Sequence, residues 1–133
     1  MAIHQSNKDI TEWFIPGNVP SSKNGKQWTG RYFVYSKATK RYEKEALILY
    51  KALANQFREA TKMVSKPLMI ELEFVRDSRR KFDYINPAQT VQDFMVKAGW
   101  IDDDNADEIV PVFLPYKYAP SNSGVFIRLK TRE

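Results

Sequence analysis

Between residues 38 and 75 the apolar side chains change their period. From Ala38 to Ala60, Tyr42, Ala46, Leu49, Tyr50, Leu53 and Phe57 recur at three- and four-residue intervals, which sets them on one face of a helix. Ser36 is a candidate cap for it. From Leu68 the interval falls to two: Leu68, Ile70, Leu72 and Phe74 alternate with Met69, Glu71, Glu73 and Val75, the pattern of a half-buried strand. A long amphipathic helix leading directly into such a strand requires the two to bury their apolar sides in one core.

A second helix is expected from about Pro87 to Ala98. Asn86 can cap it, Pro87 suits the start, where its missing N–H is not needed, and Gly99 suits a left-handed stop. Val91, Phe94, Met95 and Ala98 form its apolar stripe, leaving Gln89, Asp93 and Lys97 on another face. Glu12 to Ile15 reads as a short strand closed by Pro16-Gly17. A loop with a turn signal at Asn24-Gly25 then leads to a strand at Arg31 to Tyr35. Two further strands, Ile109 to Leu114 and Val125 to Leu129, finish the chain. This order implies an α+β fold in which two main helices pack on a small mixed β-sheet, all within one domain spanning 1–133.

The chain has no cysteine and one histidine, His4, near its start. That excludes disulfides and thiolate metal sites, argues against a histidine-based triad or zinc centre, and suits a reducing cytoplasm. No apolar run approaches the ~20 residues needed to cross a bilayer, so no membrane partner is expected. MAIHQSNKDI lacks the apolar core of a secretory signal. The formal net charge of +5 favours a polyanionic partner, of which nucleic acid is the commonest.

Against that balance, the segment from Asp102 to Glu108, DDDNADE, carries five acids in seven residues. Such a cluster either lies solvated in a loop or has a counter-ion. Asp83 precedes the second helix and Asp102, Asp103 and Asp104 follow it. A helix of about twelve residues is ~18 Å long, so the two acidic sites meet only if the chain after the helix turns back. Three to five extended residues cover ~10–17 Å, which makes the return feasible. Carboxylates brought together would raise one another's pKa, and a divalent cation removes that penalty. Hard oxygen ligands suit Mg²⁺ or Mn²⁺, which can activate water against a phosphodiester. A calcium loop of the EF-hand type does not fit, since the sixth position counted from Asp102 is Asp107 and not glycine.

The stretch RRKFDYINPAQTVQDFMVKAGWIDDDNAD, Arg79 to Asp107, resembles the signature region of the RusA-like Holliday junction resolvases. That family carries a basic stretch, then D-x-D-N-x-x-K opening a helix, then K-A-G and a terminal acid pair. Without a gap, Asp83 takes the first Asp, Asn86 the Asn, Lys97-Ala98-Gly99 the K-A-G, and Asp103-Asp104 the acid pair. VPSSKNG, Val19 to Gly25, is similar to the loop after the family's first strand. The resemblance implies a homodimeric, Mg²⁺-dependent endonuclease, often of prophage origin, that nicks opposing strands of four-way DNA junctions in recombination and repair. On this basis Asp83, Asp103 and Asp104 are the expected metal ligands and catalytic residues. Lys23, Arg79, Arg80 and Lys81 are the expected contacts to DNA phosphates.

Two positions depart from the pattern. Ile85 stands where the family has its second Asp, and Gln89 where it has Lys. Ile85 cannot ligate a metal and Gln89 cannot offer charge to a phosphate. Lys81 or Lys97 can substitute for the missing lysine. The alternative is a junction-binding protein that has lost cleavage. Trp28, Tyr32 and Trp100 read first as core or interface residues, and second as stacking partners for an unpaired base.

Overall fold

The computed structural model describes residues 11–21, 26–28, 33–35 and 37–130. Its elements are β1 (Glu12–Pro16), β2 (Lys26–Trp28), β3 (Phe33–Tyr35), α1 (Lys37–Thr61), β4 (Leu68–Arg76), α2 (Ile85–Lys97), β5 (Ile109–Phe113), β6 (Lys117–Tyr118) and β7 (Gly124–Lys130). The main sheet has the order β1-β7-β4-β5, with β6 also pairing β4. β1 and β4 run antiparallel to β7, whereas β5 and β6 run parallel to β4, so the sheet is mixed. β2 and β3 form a separate antiparallel pair. This is the expected α+β class.

Register explains how one face of the sheet becomes the core. Trp13 and Ile15 lie opposite Ile127 and Val125. Leu72 and Phe74 lie opposite the same two residues from the other side, and Leu68 faces Ile109. All of these side chains are buried in one cluster with Tyr42, Ala46, Tyr50 and Phe57 of α1 and Ala88, Val91, Phe94 and Met95 of α2. Each fully buried large apolar side chain stabilises the fold by about 1.5–3 kcal/mol. The opposite face carries charge. Arg128 stands between Glu12 and Glu71 in the register and also reaches Glu73, 3.0 Å away, while Lys117 and Lys130 complete the ladder.

Several expectations need correcting. Leu49 sits at the margin of the α1 stripe and is 37% exposed, so it is not a core residue. α2 begins at Ile85, and Tyr84 at its N-cap makes no side-chain cap bond, so Asn86 lies inside the first turn and does not cap. Pro87 tolerates this because the first N–H groups of a helix have no internal acceptor. β2 and β6 are three and two residues long, too short to show a period, and were not legible as strands. Trp100 is 2% exposed and belongs to the core, packed at 4.7 Å on Phe57 and donating from Nε1 to the Tyr50 carbonyl. Ser36, Tyr32 and the Asn24-Gly25 turn lie outside the described residues, as do Lys23 and the Trp28 side chain.

Candidate active site

The end of α2 sets the geometry of the acidic loop. Gly99 has φ +84°, its N–H donates to the Val96 carbonyl at 3.1 Å, and the Trp100 N–H donates to the Met95 carbonyl at 2.8 Å. These two bonds define a Schellman turn, which needs a left-handed residue at the glycine position. Trp100 and Ile101, both buried, anchor the chain immediately beyond. From there it returns along α2, because Asp104 Oδ2 accepts a hydrogen bond from Gln89 Nε2 at 3.3 Å. Gln89 lies roughly 15 Å of helix rise back from Gly99. The reversal on which a shared acidic site depends is therefore present.

Gln89 Nε2 also donates to Asp93 Oδ1 at 2.8 Å. One amide NH₂ thus spends both protons on two carboxylates, sitting between them as a cation would. Ile85, Gln89 and Asp93 follow at four-residue spacing and are all exposed, so they share the outward face of α2. Ile85, 72% exposed, presents an apolar side chain at the start of that row.

The remaining acids divide by partner. Asp102 pairs with Arg58 at 3.2 Å and reaches Lys66 at 4.0 Å, and Glu108 pairs with Lys66 at 2.6 Å. Asp103 spends its oxygens inside the loop, accepting from the Asp104 N–H at 2.8 Å and from Asn105 Nδ2 at 2.9 Å. Those bonds, the backbone one first, hold its carboxyl below the usual carboxylate value. Asp107 is exposed, with its N–H on Asn105 Oδ1.

Asp83 lies at the other end of the row, two residues before α2. It lines a groove of about 550 Å³ with Arg79, Arg80, Lys81, Phe82, Tyr84 and Tyr116. Arg79, Arg80 and Lys81 are all exposed. The floor is braced by Arg76, which is 7% exposed and donates to Ser21 Oγ at 3.1 Å and to the Arg80 carbonyl at 3.3 Å. Asp77 N–H on Asn18 Oδ1 ties the same segment after β1 to the end of β4. Lys97 pairs with Glu43 of α1 at 3.7 Å, whereas Lys81 lines the groove with Asp83.

Asp103 and Asp104 are thus neighbours in one loop, while Asp83 stands in the basic groove, two residues before α2 and six before Gln89 in the sequence. Among the described residues no three His, Cys, Asp or Glu side chains are grouped to hold one metal ion. Mg²⁺ commonly takes only one or two protein carboxylates and keeps its waters, and Asp93 and Asp104, both bonded to Gln89, are the pair that could serve as such donors. Asp93 and Arg76 are the members sequence reasoning passed over. The four-residue step from Gln89 to Asp93 was a usable signal for the first. Arg76 gave none, since it ends an otherwise apolar strand face.

The chain matches no protein-family model and no curated protein. No helix among the described residues is long and apolar enough to cross a membrane.

Proposed function

We propose that this protein is a RusA-like endonuclease that binds four-way DNA junctions and cuts them with a divalent cation. The observation that carries the reading is the return of Asp104 to the outward face of α2, beside Gln89 and Asp93, on the helix that Asp83 and the groove of Arg79, Arg80 and Lys81 precede. Asp83 shares its groove with Arg79, Arg80 and Lys81 and no ion pair among the described residues joins them, which suits a site that holds a phosphodiester beside a cation. Arg79, Arg80 and Lys81 position the DNA backbone, and Lys23 is assigned the same task. Asp93 and Asp104 would hold Mg²⁺ or Mn²⁺ with its waters, Asp83 stands in the basic groove before the helix, and Asp103 keeps the loop in shape. When bound, such an ion supplies Lewis acidity toward the phosphate and a more acidic water. A homodimer would give one such site for each of two opposed strands.

A second reading is favoured by Ile85 and by the Gln89 amide between the two carboxylates. It is a protein that binds junctions without cutting them. One experiment separates the two. A labelled synthetic four-way junction is incubated with the protein in Mg²⁺ or Mn²⁺, with and without EDTA. Paired nicks that EDTA suppresses and that Asp104→Asn abolishes, with binding retained, support the nuclease. Salt-sensitive binding with no nicks in either metal rejects the nuclease in favour of the second reading. Absence of any DNA binding at low salt rejects both.

A further inference from the structure

The groove that holds Asp83 has a property that phosphate binding does not use: its walls are aromatic. Phe82 has the Arg76 guanidinium over one side, 3.9 Å from the ring centroid. Tyr84 and Tyr116 each lie 5.1 Å away, Tyr116 edge-on at 84°. The Tyr84 hydroxyl accepts the Tyr116 N–H at 2.9 Å, which fixes the two rings relative to each other. Tyr84 in turn stacks on Phe113 at 5.4 Å and 15°, and Arg79 lies 4.3 Å over Tyr118. Of the six exposed large hydrophobic residues among those described, Phe113 and Tyr118 join this groove through Tyr84 and Arg79.

The charge points the same way. Arg76 is buried, yet it makes no ion pair with a carboxylate among the described residues. Its N–H groups go to a hydroxyl and a carbonyl, and its guanidinium backs the Phe82 ring, so it adds positive charge behind the groove wall. The groove's volume of about 550 Å³ lies within the range of roughly 300–1,000 Å³ that holds small organic ligands.

We infer that this groove is a stacking site for a single unpaired nucleotide, its base against Phe82, Tyr84 and Tyr116 and its phosphate toward Arg80 and Lys81. The inference rests on the nucleic-acid reading above and names the feature of the DNA that is recognised. In a duplex both faces of every base are covered by neighbours, whereas an unpaired base at a junction, gap or end offers a free face. Stacking on aromatic side chains is insensitive to base identity and favours the unpaired form by roughly 5- to 150-fold per base. Neither a lysine-lined surface alone nor an aromatic cleft alone would make that distinction, since the first binds duplex equally and the second repays no phosphate.

The test compares the full chain with its Phe82→Leu variant on three labelled DNAs of one sequence: a paired duplex, the duplex with an internal single-stranded gap, and the single strand. The wild type is expected to bind the gapped and single-stranded forms at least fivefold more tightly than the duplex. Phe82→Leu is expected to lose that preference while its duplex affinity stays within about twofold. A purely structural role for Phe82 would instead weaken all three DNAs together. In parallel, 5-iodouracil at an unpaired position is photo-crosslinked to the wild type, which needs no variant to fold. Adducts on Phe82, Tyr84 or Tyr116 support the site. Equal affinity for paired and unpaired DNA, or adducts only elsewhere, overturns the stacking site and leaves DNA binding intact. No DNA binding at low salt overturns both.

Discussion

Replacing Gly99 by alanine isolates one term of the fold. Its φ of +84° is a conformation that an L side chain adopts only with strain, and a Cβ added there would meet nothing within 4 Å. The penalty is therefore conformational and not a clash. A left-handed residue other than glycine costs about 1–2 kcal/mol. Unfolding entropy near 2.1 cal/mol/K per residue gives roughly 0.28 kcal/mol/K for a chain of this length. Gly99→Ala should then lower the melting midpoint by about 4–7 °C. Gly99→Asn should recover part of the loss, because asparagine enters the left-handed region more readily.

Thermal unfolding followed by far-ultraviolet circular dichroism measures both variants, and urea titration checks that the m value is unchanged. Gly124 is the contrast. A Cβ there would come within 2.4 Å of the Phe14 ring and 2.6 Å of the Ile15 carbonyl oxygen, so Gly124→Ala should be the more damaging change. If Gly99→Ala melts with the wild type, or Asn is no better than Ala, the Schellman turn does not hold the end of α2. The account of how Asp104 returns to Gln89 then fails with it.

Three further outcomes are expected. Trp100→Phe should destabilise more than Trp13→Phe, by about 1 kcal/mol, because Trp100 Nε1 donates to the Tyr50 carbonyl whereas Trp13 Nε1 is buried without a partner among the described residues; denaturant midpoints in the opposite order would reject this. Burial pushes the Glu73 carboxyl up, but its bonds to Arg128 and Lys117 outweigh this and leave it below the usual 4.5, so its contribution is full above that pH and is lost as the pH falls through the lowered value. Glu73→Gln should therefore flatten the acid side of the stability curve, and an unchanged slope below pH 4.5 would refute it. Ile85→Asp adds a carboxylate to the Gln89–Asp93 row at an exposed site; at a tenfold excess of Mn²⁺ over its dissociation constant the variant should gain about 1.4 kcal/mol, and the absence of a metal-dependent rise over wild type would refute the proposed metal face.

Long elements were legible in the sequence and short ones were not, for a physical reason. α1, β4 and β7 repeat their period several times, so burial of one face imprints itself on the residue order. β2 and β6 are held by pairing with a neighbouring strand, a constraint that lies in the partner and not in their own few residues. The start of α2 was misjudged because Asn86-Pro87 reads as a cap followed by a first residue, although a proline is equally tolerated deeper in the first turn. Its end was read correctly, since a left-handed stop leaves few choices but glycine. In the candidate site, Asp83, Asp104 and the basic run were visible as residue types. The amide bridge from Asp93 through Gln89 to Asp104 was not, because it depends on a chain reversal whose length no local pattern encodes.

The acidic heptad on a basic protein has its explanation in that reversal. Its first acid, Asp102, is pinned to Arg58, whose Nε also donates to the Gly99 carbonyl, so one arginine clamps both the helix end and the loop start. Its last, Glu108, is pinned by Lys66, and its carbonyl accepts the Leu68 N–H where β4 begins. Asp103 and Asn105 bond the middle of the loop to itself. With both ends clamped and the centre braced, Asp104 is the acid turned back onto α2. Most of the negative charge is thus engaged in shaping the loop, and the part that faces the candidate site is small. A chain carrying a net +5 can therefore keep a cationic groove as well, since Asp83 is the one acid among the described residues that lines it. Neutralising Asp102 or Glu108 should consequently disturb the site through the loop's shape, whereas neutralising Asp104 should leave the loop standing and remove the carboxylate alone.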